Sequence, residues 1–410
     1  MASSNRALNA FTEGRLRLVG IAGRRLIRAI VSLLLFQLLL FVLIRTLPQN
    51  LPDLAANLGA FDGPLIEAAP AETPAEPVWE GFVAWTTAFL GGELGKSNLP
   101  TGDTVVEILA ARLPRTLLLL FPGALIGFLL GVWIGKQVAW HRGAWYEYAL
   151  TLGGTAFYTS FPPWLAFVLI NVFGLSLGWA PPGKLIDPIL WVGSDFTLNE
   201  VIVKMLQTLL FAGLAYILAV WAIGRFGRGS RRWQWASLIV IAAAAAFAWS
   251  RMGLVPNVLD ILYHLTLPLA ALVLLSFGET MLVMRTIMAE KAEAQYVFVA
   301  RAKGIGDARV RDRHAARVAI VPVLSRFIVH LPYVIIGSFV LELLFAWDGM
   351  GQALVRAAED VDLAVLMGVL SLVGIGVLVA HVLLDLLLAL LDPRLRDLRN
   401  TQRVFLETNE

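Results

Sequence analysis

The sequence predicts an all-α polytopic membrane protein. Three observations predict it. Hydrophobic residues make up 58% of the 410-residue chain and charged residues only 15%, against about 45–50% and about 25% in a soluble domain. The apolar residues fall in eight blocks, each near the roughly 20 residues that a bilayer-crossing helix needs. Lys and Arg gather in alternate loops between those blocks. A disordered chain, a soluble enzyme of average composition and a fibrous repeat are thereby excluded. Cysteine is absent, so there is no disulfide framework, thiolate metal site or catalytic thiol. The net charge of +3 is too small for a nucleic-acid surface.

The blocks, in order, are Ile27–Leu47, Thr116–Gly135, Ala149–Gly174, Val203–Gly224, Trp233–Met252, Tyr263–Met284, Val318–Phe345 and Leu363–Leu391. The first lacks a small-residue cleavage site and is closed by Arg45, so it is not a removable leader. The third is interrupted by Phe161-Pro162-Pro163, which a span tolerates when neighbours satisfy the freed carbonyls. Residues 1–26, which include Arg24 and Arg25, the loop with Lys136 and Arg142, the turn Arg225–Arg232, the loop 286–317 and the tail from Arg394 are all basic. The intervening loops are poor in basic residues; 345–362 carries Asp348, Glu359, Asp360 and Asp362 against Arg356. Eight spans put every basic loop, and both termini, on the cytoplasmic side. Losing either Val203–Gly224 or Trp233–Met252 alone would invert everything downstream.

Two soluble stretches exceed turns. Residues 48–115 form an extracytoplasmic segment, rich in Pro, Ala and Glu through Glu67–Pro77, a composition that favours extended, irregular chain. Trp79, Phe82, Trp85 and Phe89 follow at helical spacing. That helix either lies on the spans or outer leaflet, or belongs to a docking surface. Residues 286–317 read as helix, tight turn at Gly304 and Gly306, then a basic helix entering the seventh span. A plain basic loop attracted to anionic lipid is the alternative.

Gly91-Gly-Glu-Leu-Gly95-Lys96-Ser97 has the look of a phosphate loop but lacks the four-residue spacing between glycines. The five histidines form no metal-ligand spacing. Gly123, Gly127, Gly131 and Gly135 line one face of the second span and predict close helix packing. Ionisable residues inside spans, Glu279, His330, Glu342 and the pair His381/Asp385, are costly in lipid and so are candidate functional groups.

Ala300-Arg-Ala-Lys-Gly304, followed by Ile320-Val-Pro322, resembles the coupling motif of ABC importer permeases, specifically the dipeptide, oligopeptide, glutathione and nickel group. Gly92-Glu-Leu-Gly95-Lys-Ser97, Arg112-Leu-Pro114-Arg-Thr116-Leu117, Gly178-Trp-Ala-Pro181-Pro-Gly183 and Leu391-Asp392-Pro393-Arg394 resemble further motifs of that group, in the same order. The sequence departs from the pattern at Trp347-Asp348-Gly349-Met350-Gly351, where Pro-Gly is usual, and in having about two spans beyond the usual six. Residues 198–252 read as an inserted two-span hairpin, leaving 116–197 for spans two and three and 253–410 for the core permease region.

The resemblance implies a type I ABC importer transmembrane domain in a bacterial or archaeal cytoplasmic membrane. It implies no bond chemistry and no cofactor on this chain, with ATP and Mg used by two separate ATP-binding subunits. It also implies a second homologous permease subunit and an extracytoplasmic substrate-binding protein. Ala300, Arg301, Ala302, Lys303, Gly304, Gly306 and Asp307 would meet the ATPase. Ala300 and Ala302 would leave room for docking, and Arg301 and Lys303 would face acidic groove residues. Phe161, Pro162, Glu279, His330 and Glu342 are the candidates for the translocation path, for peptides or similar solutes. The competing function is an ion-coupled secondary transporter using Glu279, His330 or Asp385, for which no inverted repeat is evident.

Overall fold

The computed structural model describes residues 27–28, 30–43, 77–98, 102–225 and 231–391. Among these residues the fold is helical, with one isolated bridge between Lys96 and Thr104. Thirteen helices can be numbered in order, beginning with α1 (Ile30–Leu43), α2 (Val78–Gly91) and α3 (Val105–Trp140). A bent pair follows, α4 (Trp145–Thr159) and α5 (Pro162–Ser176), then the short α6 (Pro188–Trp191). Next come α7 (Leu198–Arg225), α8 (Arg231–Arg251), α9 (Val255–Ala292) and α10 (Gln295–Ala302). The last three are α11 (Asp307–Leu344), α12 (Met350–Glu359) and α13 (Leu363–Leu391). Among the described residues six helices are long and apolar enough to cross a bilayer, and the bent pair makes a seventh candidate.

The expected spans are recognisable but their shapes differ. α3, α9 and α11 reach 36, 38 and 38 residues, about 54–57 Å at 1.5 Å per residue and well beyond a hydrocarbon core of about 30 Å. These helices continue past the apolar blocks at one or both ends. The first block is described as a helix only over Ile30–Leu43, about 21 Å long. Residues 44–47 lie outside the described residues.

The third block is not one rod. α4 and α5 meet at 109°. Ser160 and Phe161 adopt extended backbone, and Pro162 starts the next helix. A proline pushes the residue before it out of the helical region and suits the first position of a new helix. α9 measures how far the broken segment travels. Glu147 pairs with Arg285 at 2.7 Å, Phe157 lies 6.2 Å from Phe277, and Trp191 Nε1 donates to Asp260 Oδ2 at 2.7 Å. From Glu147 to Trp191 those contacts span roughly 25 residues of α9, about 38 Å, the last of them made by α6, beyond the bent pair.

The chain falls into two compact units. The larger comprises Leu109–Val323 and Pro332–Ala353. In it α3 and α9 run parallel in tight contact: Gly123, Gly127, Gly131 and Gly135 face Leu272, Ser276, Thr280 and Met284 in turn. A Cβ on Gly131 would stand 2.7 Å from the carbonyl oxygen of Phe277, and one on Gly135 2.5 Å from that of Met281. α7 and α8 lie along each other, with Trp249 Nε1 donating to Thr208 Oγ1 at 3.1 Å. The buried residues of α7 are Val201, Ile202 and Met205, all in its first turns. Beyond them large apolar side chains such as Phe211, Ile217, Trp221 and Phe247 are exposed, as lipid-facing residues are.

One end of this unit carries a polar latch that joins two of the sequence motifs. Arg115 pairs with Asp348, donates to its carbonyl at 3.1 Å, and donates to Asn199 Oδ1 at 3.1 Å. Arg112 lies 3.4 Å from the same carboxylate. Trp347 Nε1 donates to the Arg115 carbonyl, and the Met350 amide donates to Thr116 Oγ1. The departure from the Pro-Gly pattern is therefore a fitted turn. Gly349 has no room for a side chain, because a Cβ would meet the Glu342 carboxylate at 2.5 Å.

The smaller unit comprises Met1–Ile108, Leu324–Leu331 and Leu354–Glu410. Leu40 and Met367 form its small apolar centre, with Phe41, Trp85, Leu363, Leu366 and Leu370 packed around them. The aromatic face of α2 thus lies against apolar helices: Phe82 is buried and packs edge-on to Phe41, while Trp79 is exposed. Asp362 caps the start of α13 by accepting from the Val365 amide at 3.1 Å. It also accepts from the Ser97 hydroxyl and the Asn98 amide. Gly92 and Gly95 take left-handed backbone, and Ser97 donates its amide to the Asp103 carbonyl at 3.1 Å. The Gly-Lys-Ser string is a tethered turn, as its spacing indicates.

Candidate functional site

The site is the hairpin of α10 and the start of α11, at the end of the larger unit opposite the Arg115–Asp348 latch. The sequence reads residues from 286 as one helix up to Gly304; the structure breaks it once more. α9 ends at Ala292, and Glu293 and Ala294 interrupt the helix, with Glu293 paired to Arg142 at 2.8 Å. α10 is therefore a separate two-turn helix. Its Val297 and Ala300, three residues apart, face inward and join a cluster of Ala139, Met284, Met288, Val310, Ala315, Ala319 and Val323. Its outward face is apolar and uncovered: Phe298 is 74% exposed and Val299 49%.

The turn after α10 is a Schellman motif. The Ile305 amide donates to the Ala300 carbonyl at 3.3 Å and the Gly304 amide to the Arg301 carbonyl at 2.9 Å. Ile305 then packs on the cluster that holds Ala300. Gly304 sits at φ +73°, where a Cβ-bearing residue is strained. Nothing lies within 4 Å of the position a Cβ would take, so conformation, not crowding, requires the glycine. Gly306, at φ −57°, precedes the first turn of α11.

Polar contacts stitch the hairpin to the end of α3. Asp307 accepts from Arg301 Nε at 3.1 Å and from Trp140 Nε1. The Arg301 guanidinium lies 4.9 Å from the centre of the Trp140 ring, within cation–π reach. Arg311 donates to Gln137 Oε1 at 2.7 Å, and Asp312 pairs with Lys136 at 3.1 Å and with Arg311 at 2.9 Å.

These positions revise the roles expected of individual residues. Ala300 is 5% exposed, so its small size serves packing within this chain, not docking of another. Ala302 and Lys303 are exposed. Arg301 is engaged with Asp307 and Trp140. Of the candidate pathway residues, Phe161 is exposed at the α4–α5 elbow and Pro162 is half-buried beside it. Glu279 is buried in α9, and His330 is half-buried on α11. Glu342 is fully buried and accepts from the Gly351 amide at 2.6 Å, which makes it a fastener of the turn before α12. His381 donates to the Val377 carbonyl at 2.8 Å; the Asp385 side chain lies outside the described residues.

Trp140, Lys136 and Gln137 escape a sequence reading of the site. They lie over 150 residues before the motif they hold, and the single hint is an aromatic residue at the basic end of a span. The basic residues of the hairpin and the glycine face behind it were both visible; that one helix end joins them was not.

A family model for the inner membrane component of binding-protein-dependent transport systems matches residues 123–397. A putative peptide permease protein of Brucella suis is 27% identical, over 91% of this chain and 97% of its own length. An oligopeptide transport system permease protein of Bacillus subtilis is 26% identical, over 91% and 98%. A di/tripeptide transport system permease protein of Pseudomonas aeruginosa is 26% identical, over 88% and 94%.

Proposed function

Because the chain belongs to the family of inner membrane components of binding-protein-dependent transport systems, we propose that it forms half of the translocation pathway of an ATP-driven peptide importer. The chain is a permease subunit of such a system. Peptides as cargo are supported by what the similar permeases are named for and by the near-complete coverage of their length. In this reading a second permease completes the pathway, a binding protein delivers the solute outside, and two ATP-binding subunits sit at the cytoplasmic face. Nucleotide and magnesium belong to those subunits.

The observation that carries the reading is α10. It is a two-turn helix, closed by a Schellman turn, with an uncovered apolar face and a buried face keyed into α3, α9 and α11. Such a helix passes a displacement from a soluble partner to several spans at once, and the switching element is the whole bundle. Phe298, Val299 and Ala302 present the surface for an ATP-binding subunit. Arg309, Arg313 and Arg317 beside it are exposed, and the excess of basic residues supports a cytoplasmic position for this end.

The test is uptake of a short peptide by vesicles that hold the assembled complex and its binding protein. ATP depletion stops uptake, and dissipating proton and sodium gradients at constant ATP leaves it unchanged. Uptake that survives ATP depletion but fails with the gradients overturns the proposal and favours ion coupling through Glu279 or His330. Topology has its own test. Removing residues 198–252 takes out two crossings, so a reporter on the C-terminal tail stays cytoplasmic. A reporter that becomes active outside refutes the paired-span reading.

A further inference from the structure

We propose that Trp140 and Asp307 are positioning residues, a clasp that fixes the orientation of α10 on the end of α3 so that α3 and α9 move with it. This rests on reading α10 as the helix that meets the ATP-binding subunit.

The geometry is specific. Asp307 stands in the first turn of α11 and Arg301 in the last turn of α10, each on the side of its helix that the helix dipole favours. Their 3.1 Å pair closes the hairpin across the Gly304 turn. Trp140 reads both halves with one side chain. Its indole N–H donates to the second carboxylate oxygen of Asp307, and its ring face carries the Arg301 guanidinium at 4.9 Å. Other contacts, Lys136 to Asp312 and Gln137 to Arg311, hold α11 to α3; the clasp adds α10. Trp140 is the last residue of the helix whose glycine face is locked against α9. A tilt of α10 is thereby delivered to two spans at their ends, where leverage is greatest. Without the clasp, the inward contacts of Val297 and Ala300 still hold α10 in place, but the polar link from its last turn to Trp140 is lost.

The pair is half-exposed, at 49% and 60% for Arg301 and Asp307, and exposed pairs contribute little to folding. Removing it therefore tests transmission and not stability. Asp307→Asn keeps an oxygen for the indole but loses the charge facing Arg301. Trp140→Phe keeps an aromatic face but loses the donor. Both variants are compared with the wild type in the complete reconstituted importer, reading ATP hydrolysed per peptide imported. Each raises that ratio about 2- to 30-fold, the range of coupling changes carried by single contacts, while the melting temperature of Asp307→Asn stays that of the wild type. The double variant is within about twofold of the worse single one, as expected of residues acting through one contact. A ratio unchanged in both single variants, or effects that multiply in the double one, overturns the clasp. Gly304→Pro serves as the reference. If it uncouples while the clasp variants do not, only the clasp fails; if it too leaves the ratio unchanged, the reading of α10 fails with it.

Discussion

Gly304→Pro abolishes peptide uptake while the protein still inserts and the complex still hydrolyses ATP. The position requires φ +73°, and proline is confined to about −65°. Proline also removes the amide that donates to the Arg301 carbonyl, so both bonds of the Schellman turn are disrupted. Gly304→Asp uncouples as well, but less completely. No atom obstructs a Cβ there, leaving backbone strain of about 1–2 kcal/mol, which lowers the population of the competent turn about 5- to 30-fold. Asn, which tolerates the left-handed region best among the residues with a side chain, falls between Asp and the native glycine. The measurement is the ratio of uptake to ATP hydrolysis in proteoliposomes across the series Gly, Asn, Asp, Pro. Normal uptake with proline sinks the assignment of α10 as the coupling element.

The largest loss of folded protein is expected from Gly131→Leu and Gly135→Leu. At both sites the obstructing atoms include backbone of α9, the Phe277 and Met281 carbonyl oxygens, which cannot turn aside as a side chain can. Overpacking costs about 1–3 kcal/mol even where some relaxation is available, and here the two helices must part along their length. The variants accumulate poorly in the membrane and melt well below the wild type. Gly213→Leu on α7 is the control, because nothing lies within 4 Å of a Cβ there. It should accumulate normally. If Gly131→Leu melts with Gly213→Leu, the α3–α9 contact is not what holds the larger unit together.

Much of this was legible in the sequence because hydropathy, glycine and proline each act locally. Long apolar blocks become helices wherever water is excluded. Glycines four apart declare a face, although not which helix meets it. Pro162 declares a break, although the 109° angle depends on what the two halves pack against. The second break, at Glu293–Ala294, was hidden because neither residue is a strong helix breaker. There the burial of Val297 and Ala300 overrides local preference. Ala300 shows the same limit. Its small size was plain, but only the burial of its neighbour at i−3 tells which way it faces. The Arg115–Asp348 latch joins residues over 230 positions apart, a pairing that no local pattern encodes.

The glycine face has a consequence for how this sequence can drift. Positions 123, 127, 131 and 135 meet 272, 276, 280 and 284 at one constant offset. A larger residue on one helix is admissible only when its own counterpart on the other shrinks, and at 131 and 135 the opposing backbone forbids even that exchange. Lineages of this protein should therefore show paired changes at the first two rungs and none at the last two, the rungs nearest Trp140.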